Sequence, residues 1–220
     1  MKFYRLSTDE GRPKKYAWAF PTYGYPTQTV ECDICGRSWN TFENIFDKNI
    51  SFSITFTNNH FADFIACEAF HMTNQSVKNW CESNGISSVI FTKMPIIGKS
   101  EFTKEALKSC RERGYNTAKF HDEKPVYYML SATVGAKLHP DSGVQWVDKG
   151  DWVCPHCGYG VGYKKEDYGK PDCIELSSWN GNDLFKVREY DATLFCTEKF
   201  KHMCQDARVS GIIFDEIVAK

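Results

Sequence analysis

The sequence predicts an α+β fold: a mixed sheet carrying helix–strand units, with a pair of cysteine knuckles built beside it. Three observations lead there. Short runs alternate polar and apolar residues, as in Ser51-Phe52-Ser53-Ile54-Thr55-Phe56-Thr57, the pattern of a half-buried strand. A helix pattern leads through a short turn into a strand twice, at 75–94 and at 198–217. Two CxxCG segments, at Cys32 and at Cys154, stand more than half the chain apart.

Taking the elements in order, Phe3 to Leu6 reads as a short strand closed by a polar turn. Residues 10–29 are rich in Gly, Pro, Tyr and Lys and read as an irregular approach to the first cysteine pair. The 51–57 strand follows. Residues 75–94 and 198–217 then align without a gap, placing Lys78 on Lys201, Cys81 on Cys204, Ser87 on Ser210, Ile90 on Ile213 and Phe91 on Phe214. A fainter third copy covers 104–120. The repeat reads either as duplicated halves around a site or as look-alike helix–strand units, each burying an apolar face on a sheet. Val126 to Leu130 is a buried strand, and 184–187 with 192–196 form a strand pair. Thr197 is placed to cap the helix that follows. The polar segments 140–150 and 164–171 read as surface loops.

At 220 residues the chain suffices for one good-sized domain or two small ones. The expected organisation is a single domain over 1–220, with a knuckle subregion from 28–40 and 150–162 and an inserted α+β segment over 41–149. Hydrophobic residues at 42% and charged residues at 25% are ordinary for a soluble globular chain. The 27 basic residues are interleaved with 28 acidic ones for a net charge of −1, which is not the footprint of a protein held to nucleic acid by its phosphates. No long apolar run follows Met1-Lys2-Phe3-Tyr4-Arg5-Leu6, and no stretch approaches the roughly 20 apolar residues that span a bilayer. The expected address is the cytoplasm, with no membrane partner. In that reducing compartment CxxC pairs point to metal or redox chemistry before structural disulfides.

The knuckles are Cys32-Asp33-Ile34-Cys35-Gly36 and Cys154-Pro155-His156-Cys157-Gly158. A CxxC turn offers two sulfurs to one ion, and glycine after the second cysteine permits a left-handed turn without a Cβ clash. Two such turns complete a tetrahedral Cys₄ zinc site, which clips distant parts of the chain and leaves no position open for catalytic water. One structural zinc held by Cys32, Cys35, Cys154 and Cys157 is therefore expected. Three alternatives stand beside it. One is a redox CxxC, although Gly36-Arg37-Ser38-Trp39 begins no convincing helix. Another is two separate metal sites, with His139, His156 or Cys173 completing the second. The last is packed cysteines without metal. The other six cysteines, Cys67, Cys81, Cys110, Cys173, Cys196 and Cys204, read as small buried apolar residues. No HExxH, no His–Cys–Asp order and no glycine-rich phosphate loop is present, so neither catalytic residues nor a small-molecule substrate are expected. The acidic pairs Asp122-Glu123, Asp148 with Asp151, and Asp215-Glu216 read as solvated surface.

The chain resembles the double-CXXCG motif protein family of bacteria. The matching residues are Lys2-Phe3-Tyr4-Arg5-Leu6, the first knuckle with Trp39, and Leu138-His139-Pro140-Asp141. They continue with Asp183-Leu184-Phe185-Lys186, Cys196-Thr197-Glu198-Lys199-Phe200 and Gly211-Ile212-Ile213-Phe214. The likeness is carried by both ends of the chain rather than by 45–125. It implies a toxin-associated immunity protein: a non-enzymatic inhibitor of a cognate toxin encoded nearby, with partner-binding residues that no motif identifies. The rival reading is a zinc-ribbon adaptor that binds nucleic acid or another protein.

Overall fold

Both helix–strand units begin on a side-chain cap. The Asn74 carboxamide oxygen accepts from Val77 N at 3.0 Å, and Thr197 Oγ1 accepts from Phe200 N at 3.3 Å, each satisfying a donor that has no partner within its helix. The helices bury one stripe, Val77 with Cys81 and Phe200 with Cys204, at the four-residue spacing of one face. These features come from a computed structural model that describes residues 1–9, 16–17, 19–21, 29–31, 33, 38–40, 53–67, 70–112, 114–148, 161–165, 170–190 and 193–220.

In chain order the first elements are β1 (Phe3–Thr8), β2 (Ala19–Pro21), β3 (Thr29–Glu31), β4 (Ser38–Asn40) and β5 (Ile54–Phe56). Next come β6 (Phe64–Cys67), β7 (Phe70–Asn74), α1 (Gln75–Ser83) and β8 (Val89–Lys93). After α2 (Lys104–Glu112) the series runs β9 (Tyr127–Ala132), β10 (Val134–Ala136), β11 (Val144–Asp148), β12 (Val161–Lys165) and β13 (Cys173–Ile174). It ends with β14 (Leu184–Val187), β15 (Leu194–Thr197), α3 (Glu198–Asp206) and β16 (Ile212–Ala219). The class is α+β, with a mixed sheet as the sequence predicts.

The strands form two six-stranded sheets, ordered β5-β2-β6-β7-β9-β8 and β10-β14-β15-β1-β16-β13. The first is antiparallel apart from single parallel bridges at Ala19–Cys67 and Ile54–Ile96. The second is mixed, with parallel pairs β10–β14 and β13–β16. Each sheet closes on itself. Ile96, just beyond β8, bridges Ile54 of β5, and Leu138, just beyond β10, bridges Ile174 of β13. Closure removes free edges.

The two barrels are built alike. β1 through β8 with α1, and β9 through β16 with α3, repeat one element order. The registers match pair for pair: Asn74 sits opposite Tyr127 as Thr197 sits opposite Phe3, and Lys93 opposite Tyr128 as Glu216 opposite Tyr4. Asp63 O accepts from Asn74 N as Asp183 O accepts from Thr197 N. The chain is thus duplicated well beyond the two segments that align in sequence. The third copy expected at 104–120 is no copy, since α2 leads into a 3-10 turn at Thr117–Lys119 rather than a strand.

In each barrel the first strand comes from the other repeat. β9 lies between β7 and β8, and β1 lies between β15 and β16. Neither barrel coincides with the 41–149 insertion expected from the knuckles. One core fills the first barrel (Ile54, Phe56, Met72, Tyr127, Met129), another fills the second (Phe3, Ile174, Phe185, Phe195), and a third joins them through both helices (Tyr4, Leu6, Val77, Cys81, Phe200, Cys204). β1 divides its residues between two of these cores, with Phe3 in the second barrel and Tyr4 and Leu6 in the shared core.

Two local expectations change. The 51–57 strand is described over Ile54–Phe56 and is buried on both faces, Thr55 included at 0% exposure, because its second face is covered as well. The loops expected at 140–150 and 164–171 contain β11 and the end of β12, which pair from Val144–Lys165 to Asp148–Val161. Asp148 heads that strand pair. No described helix is long and apolar enough to cross a membrane.

Candidate metal centre

Each CxxCG falls between the paired strands of a separate two-stranded hairpin. β3 and β4 pair from Thr29–Asn40 to Glu31–Ser38, and Cys32 and Cys35 follow in the connection between them. β11 and β12 pair up to Asp148–Val161, and Cys154 and Cys157 occupy the connection. The hairpins hold the same place in the two repeats, one between β2 and β5 and the other between β10 and β13. Paired strands on either side of a CxxC segment are the local design of a zinc ribbon, because they fix the ends of the segment that carries the two sulfurs. Four cysteine sulfurs are a donor type that zinc accepts. The four cysteines themselves lie outside the described residues, as do His156 and Asp151.

The remaining cysteines contrast with the knuckles. Cys67, Cys81, Cys110, Cys173, Cys196 and Cys204 are all buried, as expected of small apolar side chains. Burial pushes the Cys81 thiol up to about 12 and raises Cys173, Cys196 and Cys204 as well. Such thiols stay protonated and do not serve as metal ligands without losing that proton. Cys81 and Cys204, equivalent by the repeat, share one core, and Cys81 adds to burial in raising Cys204.

His139 and Cys173 come together in one corner, but through the backbone, with His139 N donating to Cys173 O at 2.8 Å. His139 Nδ1 accepts from Asp141 N at 3.2 Å, capping the 3-10 turn Pro140–Ser142. Cys173 N donates to Ser142 Oγ at 2.9 Å and Cys173 O accepts from that hydroxyl at 3.1 Å, which fixes the strand β13 in place. Among the described residues no group of three or more His, Cys, Asp or Glu is arranged to hold a metal.

Three residues of the acidic pairs, Asp122, Asp215 and Glu216, are engaged with neighbours at the surface. Asp122 accepts from Ser100 N at 2.7 Å, and that bond holds its carboxyl below the usual range. Asp215 pairs with Arg5 at 3.3 Å and Glu216 with Lys2 at 3.0 Å. One charged group is deeply placed, which the sequence did not mark: Asp172, 6% exposed, accepts from Tyr190 Oη at 3.1 Å and faces Arg5 at 3.5 Å. The knuckles also hold matching places in the element order of the two repeats, which their own residues do not announce. The signal was present in Phe3-Tyr4-Arg5-Leu6-Ser7-Thr8 against Tyr127-Tyr128-Met129-Leu130-Ser131-Ala132, whose second, fourth and fifth residues agree.

No protein-family model matches the chain, and no curated protein matches it.

Proposed function

We propose that this protein is an immunity protein that binds and neutralises a cognate bacterial toxin, its two repeats fastened by one structural zinc. Cys32 and Cys35 of the first repeat and Cys154 and Cys157 of the second would hold the metal. Bound there, zinc supplies crosslinking between two distant hairpins and no open coordination position.

The observation that carries the reading is the assembly of the segments that resemble double-CXXCG proteins. They lie at opposite ends of the sequence, yet Phe3–Thr8, Leu184–Val187, Leu194–Thr197 and Ile212–Ala219 are four adjacent strands of one barrel. Asp183 ties these segments together by accepting from Thr197 Oγ1 at 2.7 Å and Lys199 Nζ at 2.6 Å. Leu138 to Asp141 joins the same barrel at its rim through the Leu138–Ile174 bridge. The segments that carry the resemblance thus adjoin one another in one sheet, which supports the reading. A rigid scaffold with closed sheets suits an inhibitor, which needs a fixed surface that does not reorganise on binding.

The test is co-expression with the toxin encoded beside it, followed by titration of the purified pair. Protection of the host cell and a stable complex are expected. No protection and no complex at micromolar concentration would sink the proposal. A salt-sensitive shift of DNA or RNA in its place would favour the adaptor.

A further inference from the structure

The geometry points to an intrachain strand exchange: the chain is a tethered dimer of two like repeats, each lending its first strand to the other's barrel and neither folding alone. The repeats are the two halves already described, joined through 94–126, the segment that carries α2.

The exchange is seen strand by strand. β1 belongs by sequence order to the first repeat, but its hydrogen-bonded neighbours are β15 and β16 of the second. Phe3 is 0% exposed and meets Phe185 and Trp179 edge-on, with ring centroids 5.9 and 5.4 Å apart. β9 belongs to the second repeat and pairs with β7 and β8 of the first. Tyr127 fills the first barrel beside Phe56, and its hydroxyl donates to Ala62 O.

Contacts between the repeats are reciprocal at two places, as in an isologous interface, while those of Ser210 with Phe64 and Asp63 run one way only among the described bonds. Asp9 N donates to Gly211 O at 2.9 Å where Thr133 N donates to Ser88 O at 3.0 Å. Gly211 sits against the Phe64 carbonyl, and a Cβ there would lie 2.2 Å from that oxygen. At the equivalent place Ser88 Oγ donates to the Leu184 carbonyl at 2.6 Å. Phe64 N donates to Ser210 O at 3.0 Å, and the Asp63 carboxylate accepts from both Ser210 N (2.8 Å) and Ser210 Oγ (2.6 Å). Exchange of an identical element is the familiar route by which separate protomers interlock; here a covalent tether keeps both copies in one chain.

The tether is separable from the interlock. Gly114 lies just after α2 at φ 86°, with open space where a Cβ would stand, so a protease site inserted there can be cut in the folded protein. The cut halves are expected to co-elute as one particle of the uncut size and to part only in denaturant. Separation under native conditions overturns the exchange. Phe3→Ala removes a ring that belongs to one fragment and packs wholly against the other. In the cut protein it should weaken association by about two orders of magnitude, and unchanged association would show that β1 is not the link. The second arm is hydrogen exchange on the uncut, unmodified chain. Amides of β1 and β9 should open together with those of both barrels in a single cooperative step. If one barrel opens at low denaturant while the other stays protected, the interlock is refuted whatever the cut protein does.

Discussion

At the turn that follows each helix, the first barrel places Gly85 at φ 71° and the second places Arg208 at φ 55°. The surroundings are otherwise the same: Ile86 N donates to Cys81 O as Val209 N donates to Cys204 O. At the junction between the barrels the choice is reversed, with Ser88 in one repeat and Gly211 in the other. Inside the sheets, His71 of the first barrel stands where the second has Leu194, at matching register positions opposite Ala66 and Lys186. Two copies of one design thus differ at single residues whose physics can be compared directly, although at the junction the backbone differs too, since Gly211 is left-handed (φ 83°) and Ser88 is not.

The largest effect is expected at the junction. Gly211→Ala sets a Cβ 2.2 Å from Phe64 O and 2.5 Å from Ala62 Cβ on a backbone at φ 83°, and should cost about 3 kcal/mol in denaturant unfolding. Ser88→Ala at the matching position only removes a hydroxyl bond and should cost about 1 kcal/mol. Equal costs would break the comparison.

The next contrast is in pH dependence. Burial, with Lys186 adding a smaller effect, lowers His71 from 6.5 to about 4. The neutral ring is therefore the folded form. Its contribution is complete above pH 6.5 and is lost as pH falls toward 4, at no more than about 1.4 kcal/mol per pH unit. His71→Leu copies the second barrel and should flatten that part of the stability–pH curve, followed by thermal melts from pH 7 to 4. A curve unchanged by the substitution would assign the acid sensitivity elsewhere.

The smallest effect is at the helix ends. Arg208→Gly should stabilise by about 1 kcal/mol by relieving a left-handed non-glycine residue, and Gly85→Ala should destabilise by a similar amount. Chemical denaturation of the two variants measures both signs, and any gain from Gly85→Ala would contradict the shared turn geometry.

What could be read from the sequence was local. The Thr197 cap, the buried stripes of both helices and the strand after each turn are fixed by residues three or four apart, so they appear as patterns. The CxxCG pairs were equally plain, since two sulfurs and a glycine carry their chemistry in five residues. Barrel closure was not legible, because Leu138–Ile174 and Ile54–Ile96 are single bridges between distant segments. The exchange of β1 and β9 was hidden for the same reason: a strand's sequence does not name its neighbour. Thr55 misled because alternation reports one wet face, and here both faces are covered.

The duplication bears on the metal as well, since each repeat brings one CxxCG hairpin to the same place in its half. The most direct measurement is the metal content of the purified chain and of Cys32→Ser and Cys154→Ser. One zinc per chain, lost alike from both variants with loss of the fold, is the expected result. Two metals per chain, or a Cys154→Ser variant that stays folded and keeps its zinc, would contradict a single site shared between the repeats.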